Sequence, residues 1–289
     1  MFNTTNFVEG QSVDLKNEII LANPVALPFS TFALNKTVKA DSATVKWIQE
    51  EIADSAVTMA EGGDAPAYKK DNAGLLENYL EIIGNTVTVS NTAQASSAVG
   101  INDLFLREID KKIVATKRKT ENVLLYGEKG FVNSTYKTDG IFNLVNEEHR
   151  VVGDITLASF NETISRLYDA GVGHEMLAFM NAHTKQILNG YADDVVYLGK
   201  DKQYGFDIAS YSTAFGMVSF VDVPMMKKGD LVVLNPNYIE TPELMKLNVK
   251  PEPSSGSKKS AYMEQQLGLK LLNSKAAATL RPETEENGE

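Results

Sequence analysis

The stretch INDLFLREIDKKIVATKRKTENVLLY runs from Ile101 to Tyr126, between Gly100 and Gly127, and contains neither glycine nor proline. Because those two residue types are the strongest helix breakers, the whole stretch is predicted to form one helix. At about 1.5 Å per residue this helix would be roughly 39 Å long. A globule of this chain length has a radius of gyration of only about 19 Å, so the helix would cross nearly the whole molecule.

The apolar residues of the predicted helix form a thin stripe. Phe105, Ile109 and Ile113 recur every four residues, and Val123 and Leu124 resume the stripe after a polar, lysine-rich interval. That interval excludes the middle of the helix from a deep core. A long helix with one narrow buried side suits a flat, extended subunit better than a compact enzyme.

Composition excludes several classes of protein. The chain has 289 residues, of which 43% are apolar and 23% charged, as is ordinary for soluble globular proteins. Its net charge of −10 is unlike that of a dedicated nucleic-acid binder, which gains affinity by neutralising phosphates. The absence of cysteine excludes disulfides, thiolate metal sites and cysteine nucleophiles.

Targeting signals are not apparent in the sequence. Apolar runs such as 231–234 are far shorter than the roughly 18 residues that span a membrane. The first residues lack the basic and apolar regions of a secretory signal. We therefore expect synthesis in a cytoplasm and no membrane partner.

The first 40 residues are predicted to form an extended N-terminal arm. Pro24 and Pro28 stand four residues apart, and two prolines at this spacing disfavour a helix and bias the preceding residues to extended backbone. The arm either packs on its own domain or on a neighbouring molecule, and the residues favour neither alternative.

A β-hairpin is predicted after the arm. Residues 42–52 and 85–90 have the composition and alternation of strands, and if they pair they form a hairpin with a long tip around 61–66. Loops of that length are usually functional or disordered, so the tip either projects to contact another molecule or is a surface excursion without a role.

Beyond the long helix the predicted elements alternate. Residues 131–146 are predicted to form a turn and a strand. Helices at 158–170 and 182–191 flank a buried strand at 176–180, which predicts an α/β domain. The rest of the chain is predicted to be β-rich, including a strand at 261–277, and to end in an acidic tail expected to be disordered.

Catalytic chemistry is not apparent. His149, His174 and His183 lack the spacing of a zinc site. The S-x-x-K letters at Ser255 to Lys258 lie in a Pro/Ser/Gly loop, whereas that chemistry needs the start of a helix. We therefore predict no catalytic residue, no cofactor and no metal, and expect a protein that is not an enzyme.

The order of these parts resembles the Hong Kong 97-like fold, and the chain is similar over nearly its whole length to the SU10-type major capsid proteins of tailed phages. Seven short motifs carry this resemblance in the family's order. They are Pro24 to Pro28-Phe29, Trp47, Glu61-Gly62 with Asp64, Val89-Ser90 with Thr92, Glu121 with Leu124-Leu125 and Gly127, Gly140-Ile141, and Tyr262, Glu264, Leu267, Asn273 and Ala276.

The resemblance implies an α+β Hong Kong 97-like major capsid fold with six regions. They are an N-terminal arm at 1–40, an extended β-hairpin loop at 41–95, a peripheral domain at 96–149 with the spine helix at 101–126, an axial α/β domain at 150–225, peripheral return strands at 226–280, and a disordered acidic tail at 281–289. No long helical segment is predicted ahead of the arm, so a scaffold would be a separate protein or already removed. No motif assigns a Lys–Asn cross-link.

The resemblance also implies a role and a place. The expected function is self-assembly into hexamers and pentamers of an icosahedral head around double-stranded DNA, with portal, scaffolding and decoration proteins as further partners. The expected location is the virion, after assembly in the cytoplasm of a bacterial host. The expected assembly contacts are Pro28, Phe29, Trp47, Glu61, Asp64, Arg107, Tyr262 and Glu264.

Three alternatives stay open. The basic residues of the helix, Lys111, Lys112, Lys117, Arg118 and Lys119, either face the DNA inside a shell or form an ordinary solvated face. A cellular encapsulin-like nanocompartment would share the fold and enclose enzymes. A monomeric enzyme or binding module is the alternative from another class, and electron microscopy of the purified protein distinguishes it from a shell.

Overall fold

A computed structural model of the chain describes residues 26–53, 55–96, 103–190, 197–203, 206–253 and 256–283, with the backbone alone considered for 197–210. This part of the chain contains six α-helices and sixteen strands. The helices are α1 (Pro28–Leu34), α2 (Asn91–Ala95), α3 (Leu104–Tyr126), α4 (Ile141–Leu144), α5 (Leu157–Asp169) and α6 (Ala182–Asn189). The strands are β1 (Thr37–Lys39), β2 (Thr44–Glu51), β3 (Asn72–Tyr79), β4 (Glu81–Ser90), β5 (Gly130–Val132), β6 (Thr135–Lys137), β7 (Arg150–Val152), β8 (Met176–Met180), β9 (Tyr197–Gln203), β10 (Phe206–Thr213), β11 (Gly216–Asp222), β12 (Leu231–Leu234), β13 (Ile239–Glu252), β14 (Lys258–Leu267), β15 (Lys270–Leu271) and β16 (Ala277–Arg281).

The long helix is confirmed as α3, of 23 residues. It begins where the Asp103 side chain accepts a hydrogen bond from the backbone N–H of Leu106 at 3.1 Å, as an N-cap does. It ends at Gly127, where a β-carbon would lie 2.4 Å from the carbonyl oxygen of Thr138. The helix therefore stops where another segment crosses so closely that only glycine fits.

A five-stranded sheet carries α3 on one face. Its order is β1-β13-β14-β4, and β15 pairs with β13 beside this path. The thin stripe of α3, from Phe105 to Ile113, packs against a small cluster of Val87, Val89 and Met263 from β4 and β14. The predicted narrow apolar side of the helix is thus confirmed. The expectation that the polar interval stays out of the core is wrong, because Thr116, Thr120 and Glu121 are buried.

A second, seven-stranded sheet has the order β7-β16-β12-β8-β11-β10-β9. The predicted buried strand is β8, every residue of which is buried. The predicted helix over 158–170 is α5, which buries Phe160, Ile164 and Leu167 in the main core. Strands β12 and β16 also pair in this sheet, although the sequence assigns their region to the peripheral return strands.

The predicted hairpin pairing is wrong. The strand at 85–90 lies within β4, which pairs with β14 in the five-stranded sheet. The partner of β2 is instead β3, and residues 55–71 belong to the tip between them. The reason is burial, because Val87 and Val89 are core residues, whereas a two-stranded ribbon offers no core to cover them.

Three further segments differ from the sequence prediction. Pro28 starts α1 because the first helical position needs no backbone donor, so residues 28–34 are helical and not extended. Residues 131–146 contain the β5–β6 hairpin and then α4 in place of a single strand. The strand predicted over 261–277 is interrupted after Leu267 by Gly268, where a β-carbon would lie 2.7 Å from a backbone oxygen.

The arm before residue 26 and the tail after residue 283 lie outside the described residues, and the six-region division of the chain stays a prediction.

Candidate assembly surfaces

A buried carboxylate fixes the start of α1 to α3. Glu121 of α3 is fully buried, and its two oxygens accept hydrogen bonds from the backbone N–H groups of Phe29 at 3.1 Å and Ser30 at 2.5 Å. The first N–H groups of a helix have no partner inside the helix, so this side chain caps α1 from about 90 residues away in sequence. The segment that follows the N-terminal arm is thereby held on the middle of the molecule.

Burial and hydrogen bonding shift the pKa of Glu121 in opposite directions. Burial raises the pKa of Glu121 because a charged carboxylate loses its water, whereas the hydrogen bonds from Ser30 and Phe29 lower it. The net direction is upward. The two hydrogen bonds therefore fix the position of α1, and the desolvation of the carboxylate offsets part of the stabilisation that they give.

The α1 segment is also anchored by apolar packing. Phe29 is fully buried and meets Phe179 of β8 edge-on, with ring centroids 5.1 Å apart. Pro28 is buried as well. Both side chains have their surface covered within their own subunit, and their contact with neighbouring molecules stays a prediction.

One face of the β2–β3 hairpin rests on the body of the subunit. Trp47, almost fully buried, donates its indole N–H to the carbonyl oxygen of Leu271 at 3.0 Å. Two positions further on, Gln49 accepts a hydrogen bond from the backbone N–H of Ser274 at 3.0 Å. Trp47, expected as a contact between subunits, thus roots the hairpin in its own chain.

Ion pairs stabilise the base of the hairpin. Glu77 of β3 lies 2.8 Å from the ammonium group of Lys129 and 3.3 Å from that of Lys46. The hydrogen bond from Lys129 is the main cause that holds the pKa of Glu77 below its ordinary value. Further along the hairpin, the ammonium group of Lys275 lies 2.6 Å from the carboxylate of Glu51.

The opposite face of the hairpin carries uncovered apolar side chains. Ile48 and Leu75 are direct cross-strand partners, and they are 66% and 62% exposed. Because alternate residues of a strand point to opposite faces, this pair points away from the face that holds Trp47. We call Ile48 and Leu75 the outer pair of the hairpin.

The hairpin tip is exposed throughout. Glu61 and Asp64 lie in it, and every residue from 55 to 71 is exposed. The tip also carries large apolar side chains, such as Tyr68, which is 88% exposed. Such side chains on a projecting segment are typical of a surface that another molecule covers.

The remaining predicted contact residues lie on or beside the five-stranded sheet. The hydroxyl of Tyr262 donates to Glu264 at 2.8 Å, and Lys250 of the neighbouring strand lies 3.0 Å from the same carboxylate. The Tyr262 ring lies across Gly84, where a β-carbon would approach it to 3.4 Å. Arg107 is half-buried on the first turn of α3. The structure does not bring Arg107 and this trio into one site.

The basic residues of α3 divide into two groups. Lys111 and Arg118 are seven residues apart, nearly two helical turns, and so share a face, as do Lys112 and Lys119 beside them. Lys117 points elsewhere, into a groove between α1 and the five-stranded sheet. Among these residues Lys111 forms an ion pair with Glu108 at 2.6 Å.

Two kinds of feature were sought among the described residues, a cluster of metal ligands and a membrane-spanning helix. Within the described ranges, no three His, Asp or Glu side chains converge as metal ligands would. His149 is buried and desolvation lowers its pKa, whereas His174 and His183 are exposed. None of the helices described is long and apolar enough to cross a membrane.

Two β-sheets, a long helix on one of them and a hairpin with an exposed tip give the structural setting for a comparison with known proteins. The sequence profile of the SU10 major capsid protein family matches residues 2–284. The chain belongs to the SU10 major capsid protein family. A search of curated proteins gave no match. The expected resemblance and the expected identity as a tailed-phage major capsid protein are confirmed.

Solved structures agree on the fold. The capsid of cyanophage A-1(L) is similar with a TM-score of 0.69 at 9% identity, covering 97% of this chain and 99% of that one. The capsid of an empty GTA particle is similar with a TM-score of 0.65 at 13% identity, with the same coverage of 97% and 99%. The SrpI encapsulin complex of Synechococcus elongatus is similar at 0.62 and 12% identity, covering 92% of each chain. The predicted Hong Kong 97-like α+β fold of this major capsid protein is thus confirmed.

Sequence reasoning missed several residues of these surfaces. Leu75 and Glu77 lie in β3, for which the sequence predicts no strand. Ile48 lies in the strand predicted over 42–52, but that prediction does not say which of its side chains are exposed. The alternation of Ile48 and Glu50 with Trp47 and Gln49 is the signal that distinguishes the two faces. The role of Glu121 had no local signal, because its partners lie about 90 residues away.

Proposed function

We propose that this capsid protein assembles into hexamers and pentamers that close into the icosahedral head of a tailed phage around double-stranded DNA. The observation that carries this proposal is the outer pair, Ile48 and Leu75, exposed on a ribbon whose other face is firmly rooted. A two-stranded ribbon is marginal by itself, and this one gains further burial when a second copy of the chain covers the outer pair.

The contacts of such a shell are heterologous. A head-to-tail contact joins two different patches of the same protein and closes into a ring when the rotation permits. The hairpin supplies one of the two patches, and the body of the next subunit supplies the other. Each contact is weak, but many contacts in one closed shell act together as a multivalent assembly.

Contact with the packaged DNA is assigned to basic residues of α3. Lys112, which is half-buried, and Lys119, which is exposed, share one side of the helix, and electrostatic contact of this kind needs no sequence-specific readout. The net charge of −10 keeps such contact weak, which suits a container whose content is later released. We place portal, scaffolding and decoration proteins as further partners, the virion as the final location, and the host bacterial cytoplasm as the place of assembly.

Shell formation is tested by electron microscopy of the purified protein. The wild-type chain is expected to form closed particles or ring-shaped capsomers. Leu75→Asp is expected to leave the subunit folded, as judged by circular dichroism, and to prevent particle formation. Glu50→Gln is the control, and it is expected to keep assembly. Glu50 lies on the same face of the hairpin as Ile48, two residues further along β2. A strictly monomeric wild-type protein at high concentration would refute the proposal.

The content of native particles separates a phage head from a nanocompartment. An encapsulin shell is favoured as a second candidate by the similar fold of the SrpI complex. Particles isolated from producing cells are expected to hold double-stranded DNA that becomes sensitive to nuclease only after disruption. Particles that hold protein cargo and no DNA would instead support the nanocompartment.

Charge reversal tests the DNA contact. Lys112→Glu combined with Lys119→Glu is expected to reduce the length or density of packaged DNA without preventing assembly of empty shells. Lys112→Gln with Lys119→Gln is the neutral control, with a smaller effect. Unchanged packaging in the reversed variant would leave these residues as an ordinary solvated face.

A further inference from the structure

Two polar groups of opposite charge lie close together without a direct hydrogen bond between them. The side chain of Asp230 is only 7% exposed, and its Oδ2 atom lies 3.8 Å from Nε of Arg281. Both atoms are buried, and neither has a hydrogen-bond partner among the described residues. Because buried polar atoms of folded proteins are nearly always paired, two such atoms at this distance indicate a contact that can still close.

The guanidinium of Arg281 lies against aromatic rings. Its central carbon is 4.1 Å from the ring centroid of Phe142 and 5.5 Å from that of Tyr126. These two rings stack on each other, with centroids 5.1 Å apart. Arg281 therefore has two kinds of partner within reach, the faces of the rings and the carboxylate of Asp230.

Tyr126 connects this cluster to α3, of which it is the last residue. Its hydroxyl accepts a hydrogen bond from the backbone N–H of Lys227 at 2.8 Å and also hydrogen-bonds the carboxylate of Asp230. Burial raises the pKa of Tyr126, so its hydroxyl keeps the proton and is the donor to Asp230. The cluster thus joins the end of α3 to the turn that precedes β12.

The same cluster lies at the end of β16. Arg281 is the last residue of that strand, and its carbonyl oxygen accepts a hydrogen bond from the backbone N–H of Gly153 at 2.8 Å. Pro282 packs so closely on Gly229 that a β-carbon there would lie 2.9 Å from the proline ring. A change in the position of Arg281 is therefore expected to be felt by the end of the strand.

The charged and titratable groups around Asp230 come from three elements. They are Tyr126 of α3, Lys227 of the turn before β12, and Arg281 of β16. Burial, the largest cause, raises the pKa of Asp230, whereas the hydrogen bond from Tyr126 and the charges of Arg281 and Lys227 lower it. Because Arg281 favours the ionised form of Asp230, linkage requires that the ionised form in turn favours the contact with Arg281.

We propose that Asp230 is a proton-dependent latch for the C-terminal end of β16. Ionised Asp230 draws Nε of Arg281 into a direct hydrogen bond and ties the end of the strand to α3. Neutral Asp230 does not attract the guanidinium, so Arg281 stays on the aromatic rings and the end of the strand is held less firmly. The latch goes beyond shell assembly and does not depend on it, because all of its groups belong to one subunit.

Hydrogen exchange of the purified full chain, followed by mass spectrometry from about pH 4 to pH 8, tests the latch. The reporters are the amides of Gly153 and Lys227, whose acceptors belong to Arg281 and Tyr126. Their protection factors are corrected for the intrinsic pH dependence of exchange. They are expected to fall about tenfold as pH is lowered through the titration of Asp230, as for the loss of one hydrogen bond to a charged group.

Asp230→Asn keeps the shape of the side chain and removes its charge. It is expected to show the lower protection at every pH and therefore to lose the pH response. Asp222→Asn is the matched control, because Asp222 is an exposed aspartate of the same sheet, and it should keep the wild-type response. Arg281→Gln covers the case in which Asp230→Asn fails to fold, and should also abolish the response.

Three outcomes overturn the proposal. Wild-type protection that does not change with pH leaves Asp230 with a structural role only. A pH response that survives in Asp230→Asn or in Arg281→Gln belongs to other groups. An equal loss of the response in Asp222→Asn assigns it to surface charge in general. Particle formation is scored separately by electron microscopy, so a failure of the latch is distinguishable from a failure of shell assembly.

Discussion

Removing the buried carboxylate of Glu121 tests the connection between α1 and α3. Glu121→Ala leaves the buried backbone N–H groups of Phe29 and Ser30 without their acceptor. Hydrogen bonds to a charged group contribute about 1.5–3 kcal/mol each. Relief of the desolvated charge offsets part of this sum, so we expect a net loss of about 2–4 kcal/mol in the free energy of unfolding of the unassembled subunit.

The loss is measurable by two methods. At about 2–4 °C per kcal/mol for domains of 150–250 residues, the melting temperature should fall by roughly 4–16 °C. Amide hydrogen exchange should accelerate most at Phe29 and Ser30, because the first turn of α1 frays. Asp110→Ala, which removes an exposed carboxylate from the same helix, is the control and should change little. A melting temperature within about 1 °C of wild type, with unchanged exchange at both amides, would refute the reasoning.

The pH dependence of the same site gives an independent check. Burial raises the pKa of Glu121, so the folded state binds the proton of this carboxyl more tightly than the unfolded state. The stabilisation from that proton is present below the ordinary value of about 4.3 and is lost as pH rises through the folded value. Compared with the non-titrating Glu121→Gln, the wild-type subunit should therefore have its greatest relative stability near pH 4 and lose it toward pH 7. The opposite trend would show that the hydrogen bonds outweigh burial.

Three further predictions concern the hairpin and the end of α3. Trp47→Phe keeps the ring but removes its hydrogen bond to the body, so we expect a loss of about 1 kcal/mol and faster exchange across β2, measured by denaturation and hydrogen exchange. Gly140→Ala places a β-carbon 2.5 Å from backbone atoms and should lower the free energy of unfolding by about 3 kcal/mol or more. Gly130→Ala is the control, because a β-carbon there meets open space. Equal stability of the two variants in thermal denaturation would contradict this prediction. Lys129→Met removes the group that lowers the pKa of Glu77, so its effect should be present at neutral pH and vanish as pH falls below about 4, as a pH series of melting temperatures would show.

The elements that the sequence predicts correctly are those whose apolar residues follow a regular pattern along the element. The apolar step of four in α3, the amphipathic α5 and the continuous apolar β8 all form as expected, since each pattern matches one kind of burial. The strand β3 escaped prediction because its sequence has no strict alternation and its support comes from β2 and from the body of the subunit.

Pairing and contact are less predictable than the elements. Nothing local in β4 distinguishes a hairpin partner from a sheet strand, and the decision comes from the core that Val87 and Val89 join. The same holds for Phe29, whose motif marks the family but whose burial against Phe179 depends on residues far along the chain. Long-range burial therefore decides which predicted contact residues stay available to another molecule.

Both projecting segments, α1 and the β2–β3 hairpin, are anchored to the same region of the subunit. The buried C-terminal part of α3 holds the start of α1 through Glu121, and its end crosses the segment at Gly140 that leads into α4. The hairpin is rooted on Leu271, whose strand β15 packs against α4. The hairpin is therefore fixed through Trp47 to the part of the subunit that also holds the end of α3, and not to the thin apolar stripe at the start of that helix.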